Sequence, residues 1–368
     1  MEYYLKLMSK LNINILNKDG KARASEIVIN KKTIKTPTFM PVATRGAIKS
    51  MPHIFLNNTD VLLANTYHLH LRPGSEVIKD LGGIHRFMNW DKVILTDSGG
   101  FQVWSLPTKI NNSSVTFKNV YDGSFFEMTP EDSIKIQNNL GSDIAMIFDC
   151  LINIDDEKDK QINSINLTRE WGYKSRASHK NEKQALFGII QGGTHKDLRE
   201  LSAKYMLEQN YDGYAIGGLA IGETPKERKD IVSYTSNLLP EDKPKYVMGL
   251  GDISGLIDLI EEGIDLFDCV WPARLARHGK LITGNSYLNI KNKKYIKDPT
   301  PISENCPCFT CENFSKAYLR HLIHNENTSA WLYLTVHNLI QTEIILDEAR
   351  ESILESNFNK FKMKYKNE

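Results

Sequence analysis

From residue 36 onward the chain alternates between two hydrophobic rhythms. Short runs that are apolar almost throughout predict strands at 38–42, 61–64, 92–96, 144–148, 185–190, 213–216, 246–250 and 264–270. Between most of them, apolar residues recur every three or four positions. That spacing predicts helices at 47–56, 75–81, 129–140, 161–180, 196–209, 225–238 and 252–262. Pro130 and Pro225 stand where first-turn prolines belong. Eight strands alternating with helices predict an α/β fold, a (β/α)8 TIM barrel, with an open doubly wound sheet as the alternative.

The pattern changes at both ends. Residues 11–35 predict short antiparallel strands with a turn at Lys18-Asp19-Gly20. Between the third strand and its helix, 115–128 predicts a β-hairpin insertion centred on Asp122-Gly123. After the eighth strand the alternation stops: 281–312 carries short strands and three cysteines, and 314–357 is mostly helical. The expected organisation is one catalytic domain, 1–368. It has an N-terminal β segment at about 11–35, a barrel core at about 36–280, a zinc subdomain at about 281–340 and a C-terminal helix at 341–368.

Composition narrows the partners. The 368 residues are 41% hydrophobic and 25% charged, which suits a large core plus a small appendage. A net charge of +1 gives no global field for nucleic acid, so RNA contact would need a local patch. No apolar run reaches the roughly 18 residues of a membrane span. The start, MEYYLKLMSKLNINILNKDG, lacks the basic, apolar and small-residue parts of a secretory signal, so a soluble cytoplasmic protein is expected.

The cysteines carry the clearest chemistry. Cys306-x-Cys308-x2-Cys311-x25-His337 offers three thiolates and one imidazole, a closed tetrahedral set that suits one structural Zn2+ per chain. His321 and His324 are rivals for the fourth position.

The strand ends are individually weak and collectively informative. The third ends in Asp97, followed by Ser98, Gly99, Gly100 and Phe101. The fourth ends in Asp149 and the fifth in Gln191. The sixth is followed by Gly217, Gly218, Leu219 and Glu223. The seventh leads to Met248 and a glycine loop, 249–255. Barrel enzymes keep their chemistry at this end. Carboxylates, an amide and exposed backbone N–H groups can read a purine edge, and Phe101 with Met248 can sandwich its faces. Inside the eighth strand sits Asp268, an acid where hydrocarbon is expected, so it needs a partner or a use. Pro272 then predicts the strand's end, followed by a basic loop with Arg274, Arg277, His278 and Lys280.

The motifs TPTFMPVAT, NTYHLHLRPG, LTDSGGFQ, FGIIQGG, DGYAIGGLAIGE, MGLG, FDCVWPAR and the Cys3His set occur together and in order. Over nearly its whole length the chain resembles tRNA-guanine transglycosylase of the bacterial queuine-pathway type. The resemblance implies exchange of guanine at the tRNA wobble position for 7-aminomethyl-7-deazaguanine (preQ1). It implies Asp268 as the nucleophile and Asp97 as the general acid/base. Asp149, Gln191 and the Gly218 amide would read the base, with Leu219 and Glu223 near the aminomethyl group and Phe101 and Met248 stacking. Gly249, Leu250, Gly251, Asp252, Ile253, Ser254 and Gly255, with Ala273, Arg274, Leu275, Ala276, Arg277 and Lys280, would contact the anticodon stem-loop. A homodimer is implied as well. The chain departs from the pattern after Asp149. Many bacterial members have Glu next, whereas here the run is Cys150-Leu151-Ile152-Asn153, so weaker discrimination against guanine is expected. Rival readings are a catalytically silent tRNA-binding subunit, a transglycosylase acting on DNA or with the 7-cyano base (preQ0), and a barrel glycoside hydrolase, which would need two acids but not Gln191, the glycine amides and the basic loop.

Overall fold

The computed structural model describes residues 10–365; residues 1–9 of the stretch read for a targeting signal lie outside the described residues. Eight parallel strands close into a barrel in chain order: Thr38–Ala43, Val61–Ala64, Val93–Thr96, Ile144–Met146, Ala185–Ile190, Gly213–Ile216, Lys245–Val247 and Leu266–Cys269. They are numbered barrel strands 1 to 8 below. Strand 8 closes the ring against strand 1, with Leu266 opposite Thr38 and Cys269 opposite Pro41. Strands 2, 3, 4, 5 and 6 are buried at every position, which is why they read as unbroken apolar runs.

Helices Pro130–Leu140, Lys158–Ser178, Lys196–Leu207, Pro225–Leu238 and Ile253–Glu261 follow strands 3 to 7 on the outside. Two of them start by one device. Thr129 and Thr224 each accept a bond from the backbone three residues on, and Asp132 and Glu227 bond back to the cap, with proline in the first turn. The insertion after strand 3 is a three-stranded sheet, Thr108–Ile110, Val115–Lys118 and Phe125–Met128. It contains the expected hairpin, with Gly123 at φ +75° in its turn.

Three local expectations need correction. Segment 47–56 is not a helix: it holds only a short 3-10 turn, His53–Phe55, because Ser50 sits at φ +70° and Pro52 is extended. Thr66–Leu71 is helical although no helix was expected there; Asn65 caps it by accepting from the His68 N–H. The basic loop after Pro272 is a helix, Trp271–Arg277, in which the proline occupies the first turn. A first-turn proline lacks only an N–H that has no helical partner anyway.

The N-terminal sheet, Leu11–Asp19, Ala22–Ile29 and Lys32–Thr36, floors the barrel through three aspartates that precede strands. Lys35 N–H donates to Asp60 at 3.1 Å, Lys32 Nζ pairs with Asp143 at 3.0 Å, and Arg23 pairs with Asp265. Beyond strand 8 come a two-stranded ribbon, Lys280–Thr283 and Ser286–Asn289, and helices Phe309–Asn313 and Lys316–Asn325. A 28-residue helix, Asn327–Leu354, then returns along strand 1, where Arg350 donates to Pro37 O. No described helix is long and apolar enough to cross a membrane.

The Arg23–Asp265 pair is the strongest tie in the floor. Its guanidinium spans both carboxylate oxygens at 2.9 and 2.5 Å and also bonds Glu241 O and Lys243 O, with both side chains buried. Arg23→Ala would leave Asp265 buried and uncompensated, so it is expected to cost about 3–5 kcal/mol. Lys18→Ala, which breaks an exposed pair with Glu241, is expected to cost far less. Urea unfolding of the two variants side by side checks this, and equal midpoints would refute it.

Candidate active site

The C-terminal rim of the barrel gathers three aspartates, Asp149 buried and Asp97 and Asp268 half-buried, none of them in an ion pair among the described residues. Asp97 follows strand 3. It accepts from the Thr66 N–H at 2.8 Å and from Asn65 Nδ2 at 2.5 Å. Burial drives its carboxyl up to about 7. The Thr66, Gly99 and Asn65 donors oppose the rise, and the charge of Asp268 adds to it. Asp268, inside strand 8, accepts from the Tyr246 hydroxyl at 2.5 Å and the Gly249 N–H at 2.8 Å. Burial raises it too, against those two donors. Tyr246, itself fully buried and held well above the ordinary phenol range by burial and by Asp268, stays a donor. The two acids are thus close enough to sense each other's charge, yet they stand on separate strands with separate supports.

The third aspartate belongs to a different cluster. Asp149 accepts from Ser98 Oγ at 3.1 Å and Gln191 Nε2 at 2.7 Å, and burial pushes its carboxyl up to about 6. Backbone packs tightly around it. A Cβ on Gly100 would lie 1.9 Å from Asp149 Oδ1, and one on Gly218, at φ +67°, would lie 2.5 Å from Gln191 Oε1. These glycines leave the Asp149–Gln191 edge accessible to a flat ligand. Leu219 is buried beside them. In the same turn Glu223, fully buried, accepts the Ala220 N–H at 2.7 Å and the Ile221 N–H at 3.3 Å, and Arg228 holds it at 3.3 Å. Cys150 is a buried thiol pushed up to about 12 by burial and by Asp149, so it stays neutral.

The remaining expected residues divide by exposure. Phe101 is 52% exposed on the helix Gly100–Ser105, and Met248 is half-buried after strand 7. Gly249, Ser254, Arg274 and Lys280 face solvent, with Asp252, Leu275 and Arg277 partly so. Leu250, Gly251, Ile253, Gly255, Ala273 and Ala276 are buried in packing, and Gly217 lies buried under Gln191. Asp252 is occupied as the cap of Ile253–Glu261, accepting from the Gly255 N–H.

Sequence reasoning missed three residues that hold the site. Asn65 carries the signal of an N-cap, a polar residue just before TYHLHL. Arg199 stands on the apolar face of its helix between Leu198 and Ser202, where a cation needs explaining. Fully buried, it donates to Gly193 O, Ile190 O and Gly217 O, each at 2.8 Å, and so fixes the backbone on both sides of Gln191 and ahead of Gly218. Tyr246 gave no signal, since a tyrosine in an apolar strand is ordinary.

Cys306, Cys308, Cys311 and His337 meet in a buried group whose donor atoms all lie within 4.8 Å of one another. The three sulfurs stand 3.8, 3.6 and 3.3 Å from His337 Nδ1. Ordinary zinc bond lengths in a tetrahedron put sulfur and nitrogen about 3.6 Å apart, so the donors fit one such ion. His337 Nε2 bonds Ile282 O at 2.8 Å, which turns Nδ1 to the sulfurs. His321 and His324 are exposed and take no part. The next residue, Asn338, bonds Ile282 N, Pro272 O and Lys280 O and ties the metal knot to the segment after Asp268.

Comparison with known proteins gives one consistent result. The family pattern described as Queuine tRNA-ribosyltransferase matches residues 18–368. Curated proteins named Queuine tRNA-ribosyltransferase align over almost their full length. The Fusobacterium nucleatum protein is 44% identical over 357 residues, 95% of each chain. The Thermoanaerobacter pseudethanolicus protein is 42% identical over 365 residues, 97% of each. The Francisella tularensis subsp. novicida protein is 41% identical over 363 residues, 97% of this chain and 99% of its own.

The Cys3His geometry has no open ligand position, so a metal there serves folding. Exhaustive chelation, or Cys308→Ala, is expected to loosen the C-terminal part and lower the melting temperature. Complete metal loss with an unchanged thermal melt and unchanged hydrogen exchange at 280–340 would overturn that role.

Proposed function

Because the chain belongs to the queuine tRNA-ribosyltransferase family, we propose that it exchanges guanine at wobble position 34 of GUN-anticodon tRNAs (Asp, Asn, His, Tyr) for preQ1. The observation that carries the reading is the pair of separately supported, half-buried acids, Asp97 and Asp268, at one barrel mouth. Exchange of a base with retained configuration needs two displacements, one carboxylate attacking C1′ and one acid serving the base. Asp268 is the nucleophile: Tyr246 and the Gly249 N–H fix its Oδ1 and support its charge. Its attack breaks the glycosidic bond and forms an ester to C1′. Asp97, protonated up to about pH 7, gives its proton to the departing guanine. The incoming base returns a proton to Asp97 and displaces Asp268 from C1′. Atoms balance with no cofactor: guanine leaves and preQ1 enters.

Base choice rests on the second cluster. Asp149 and Gln191 offer acceptor and amide groups to a purine edge, while Phe101 and Met248 offer apolar faces. The preference for an aminomethyl group is supported by one peptide. Glu223 holds the Ala220 N–H, and in a trans peptide the carbonyl of Leu219 must then point the opposite way, away from Glu223. A carbonyl aimed from that turn accepts an ammonium better than it tolerates another acceptor. With Cys150 neutral where many relatives have a glutamate, discrimination against guanine is weaker.

Arg274, Arg277, Lys280, Gly249 and Ser254 form the face offered to the anticodon stem-loop. Zinc is the ion proposed for the Cys3His group, whose thiolates and imidazole suit it. A homodimer, as expected for the family and readable by light scattering, is supported by exposed aromatics beside that group, Phe309 and Tyr318. A tRNA substrate fits the cytoplasm.

The covalent step is open to a direct test. A denaturing gel of enzyme, wobble-G stem-loop and a slow base analogue is expected to show a band shifted by the RNA mass. The band should vanish in Asp268→Asn. Asp97→Asn is expected to bind RNA and lose roughly 10²–10⁴ in rate. A band that persists in Asp268→Asn and disappears only in Asp97→Asn would reverse the roles.

The second test is pH. Asp97 must hold its proton for the first displacement, and its raised pKa keeps that proton until pH passes about 7. Guanine exchange at saturating RNA is therefore expected to fall as pH rises through about 7. A rate that stays flat from pH 6 to 9 would exclude Asp97 as the acid.

A further inference from the structure

A second cationic cluster lies at the same rim, outside every residue assigned above. The Arg45 and Arg72 guanidiniums sit over the Tyr121 ring, 5.4 and 4.2 Å from its centroid. Each contact is attractive by itself, but two like charges on one ring repel. Neither arginine has an acidic partner among the described residues. The adjacent acid, Asp122, is turned to Ser124, whose N–H and hydroxyl it accepts. The Tyr121 hydroxyl is buried without a hydrogen bond, and so is His68 Nδ1. His68 belongs to the cluster, since its imidazole is held down by burial and then by Arg45. Two unpaired guanidiniums and an idle phenol make a set of cationic and neutral donors, with an idle imidazole beside them.

Position says which acceptor. Arg45 follows Thr44, whose carbonyl accepts the Asn65 N–H, and Asn65 is the residue that holds Asp97. Arg72 ends the helix that Asn65 caps. The cluster therefore adjoins the acid proposed to serve the base, between the ends of strands 1 and 2. Strand 8, which carries Asp268 and leads to Arg274 and Lys280, pairs directly with strand 1. Basic groups thus run along the rim over strands 8, 1 and 2, with the mouth in between. Basic side chains interleaved with an aromatic are the make-up of a single-strand nucleic-acid track.

We propose that Arg45, Arg72 and Tyr121, with His68, bind an RNA phosphodiester flanking the nucleotide that enters the mouth. Arginine forks match phosphate oxygens, and the Tyr121 hydroxyl supplies a neutral donor. The assignment rests on the RNA reading above, but its test is separate. Affinity for a wobble-G anticodon stem-loop is measured by fluorescence anisotropy over a salt series, with guanine exchange followed in parallel on the wild type.

R45A/R72A is expected to bind about tenfold more weakly, as loss of a charged hydrogen bond implies. Its slope of log affinity against log salt is expected to be shallower by about 0.7 per lost phosphate contact. Y121F should weaken binding with no change of slope, and R45K/R72K should keep the slope. Both arginines are exposed, so folding is not at stake, and the Kd for free guanine should be the same in every variant. An unchanged affinity, or a weaker one with the wild-type slope in R45A/R72A, would overturn the phosphate assignment. If the wild type exchanges no guanine while R45A/R72A still flattens the slope, the reaction reading fails and the RNA contact stands.

Discussion

Burial of carboxylates with and without a cation governs this molecule. The two ends of one barrel treat aspartate oppositely. At the floor, Asp143 is buried, yet bonds from His85, Asn30 and the Ile94 N–H outweigh desolvation and hold it at about 2. Asp265 lies there under the Arg23 fork. At the rim, Asp97 and Asp149 are met only by neutral donors, and desolvation lifts them to about 7 and about 6. The difference is the company: His85 and Asn30 bond Asp143, and Arg23 reaches Asp265 from the N-terminal sheet. Asp143 is therefore held as an anion that serves stability. The rim aspartates stay near the point where a proton can be taken or given, which chemistry requires.

Rigidity is supplied at the rim by other means. Groups with narrow tolerances hold it: the Arg199 guanidinium bonded to three carbonyls, the Glu223 carboxylate bonded to two N–H groups and paired with Arg228, and Gly100 pressed against Asp149. Each fixes backbone rather than a side chain. That suits the pocket proposed above to tell two flat bases apart by the direction of a single peptide.

Much of this was legible in the sequence, for identifiable reasons. Strands buried on both faces leave continuous apolar runs, so all eight were found, with ends shifted by at most three residues. Asp268 stood out because it broke such a run, and the cysteines because thiols so closely spaced rarely serve packing. What escaped depended on context. Pro272 can end a strand or start a helix, and only the packing of Ala273 and Ala276 decides for the helix. The 47–56 segment has helical spacing but a backbone that turns at Ser50 and Pro52. Tyr246 was invisible because a strand tyrosine becomes a carboxylate's donor only when the neighbouring strand, paired in register, brings Asp268 to it.

The three bonds of Asn338 carry a temporal consequence. They hold Pro272 O, Lys280 O and Ile282 N, the stretch just past Asp268, from a helix near the end of the chain. That helix also reaches the beginning, through Arg350 to Pro37 O and through its last carbonyls to Asn17 Nδ2. On the ribosome, residues 38–269 can emerge with every barrel strand present while the segment beside Asp268 still lacks its brace. The rim is completed only after residue 338 has been translated and threaded back, so a truncated product would carry both acids and an unfinished mouth.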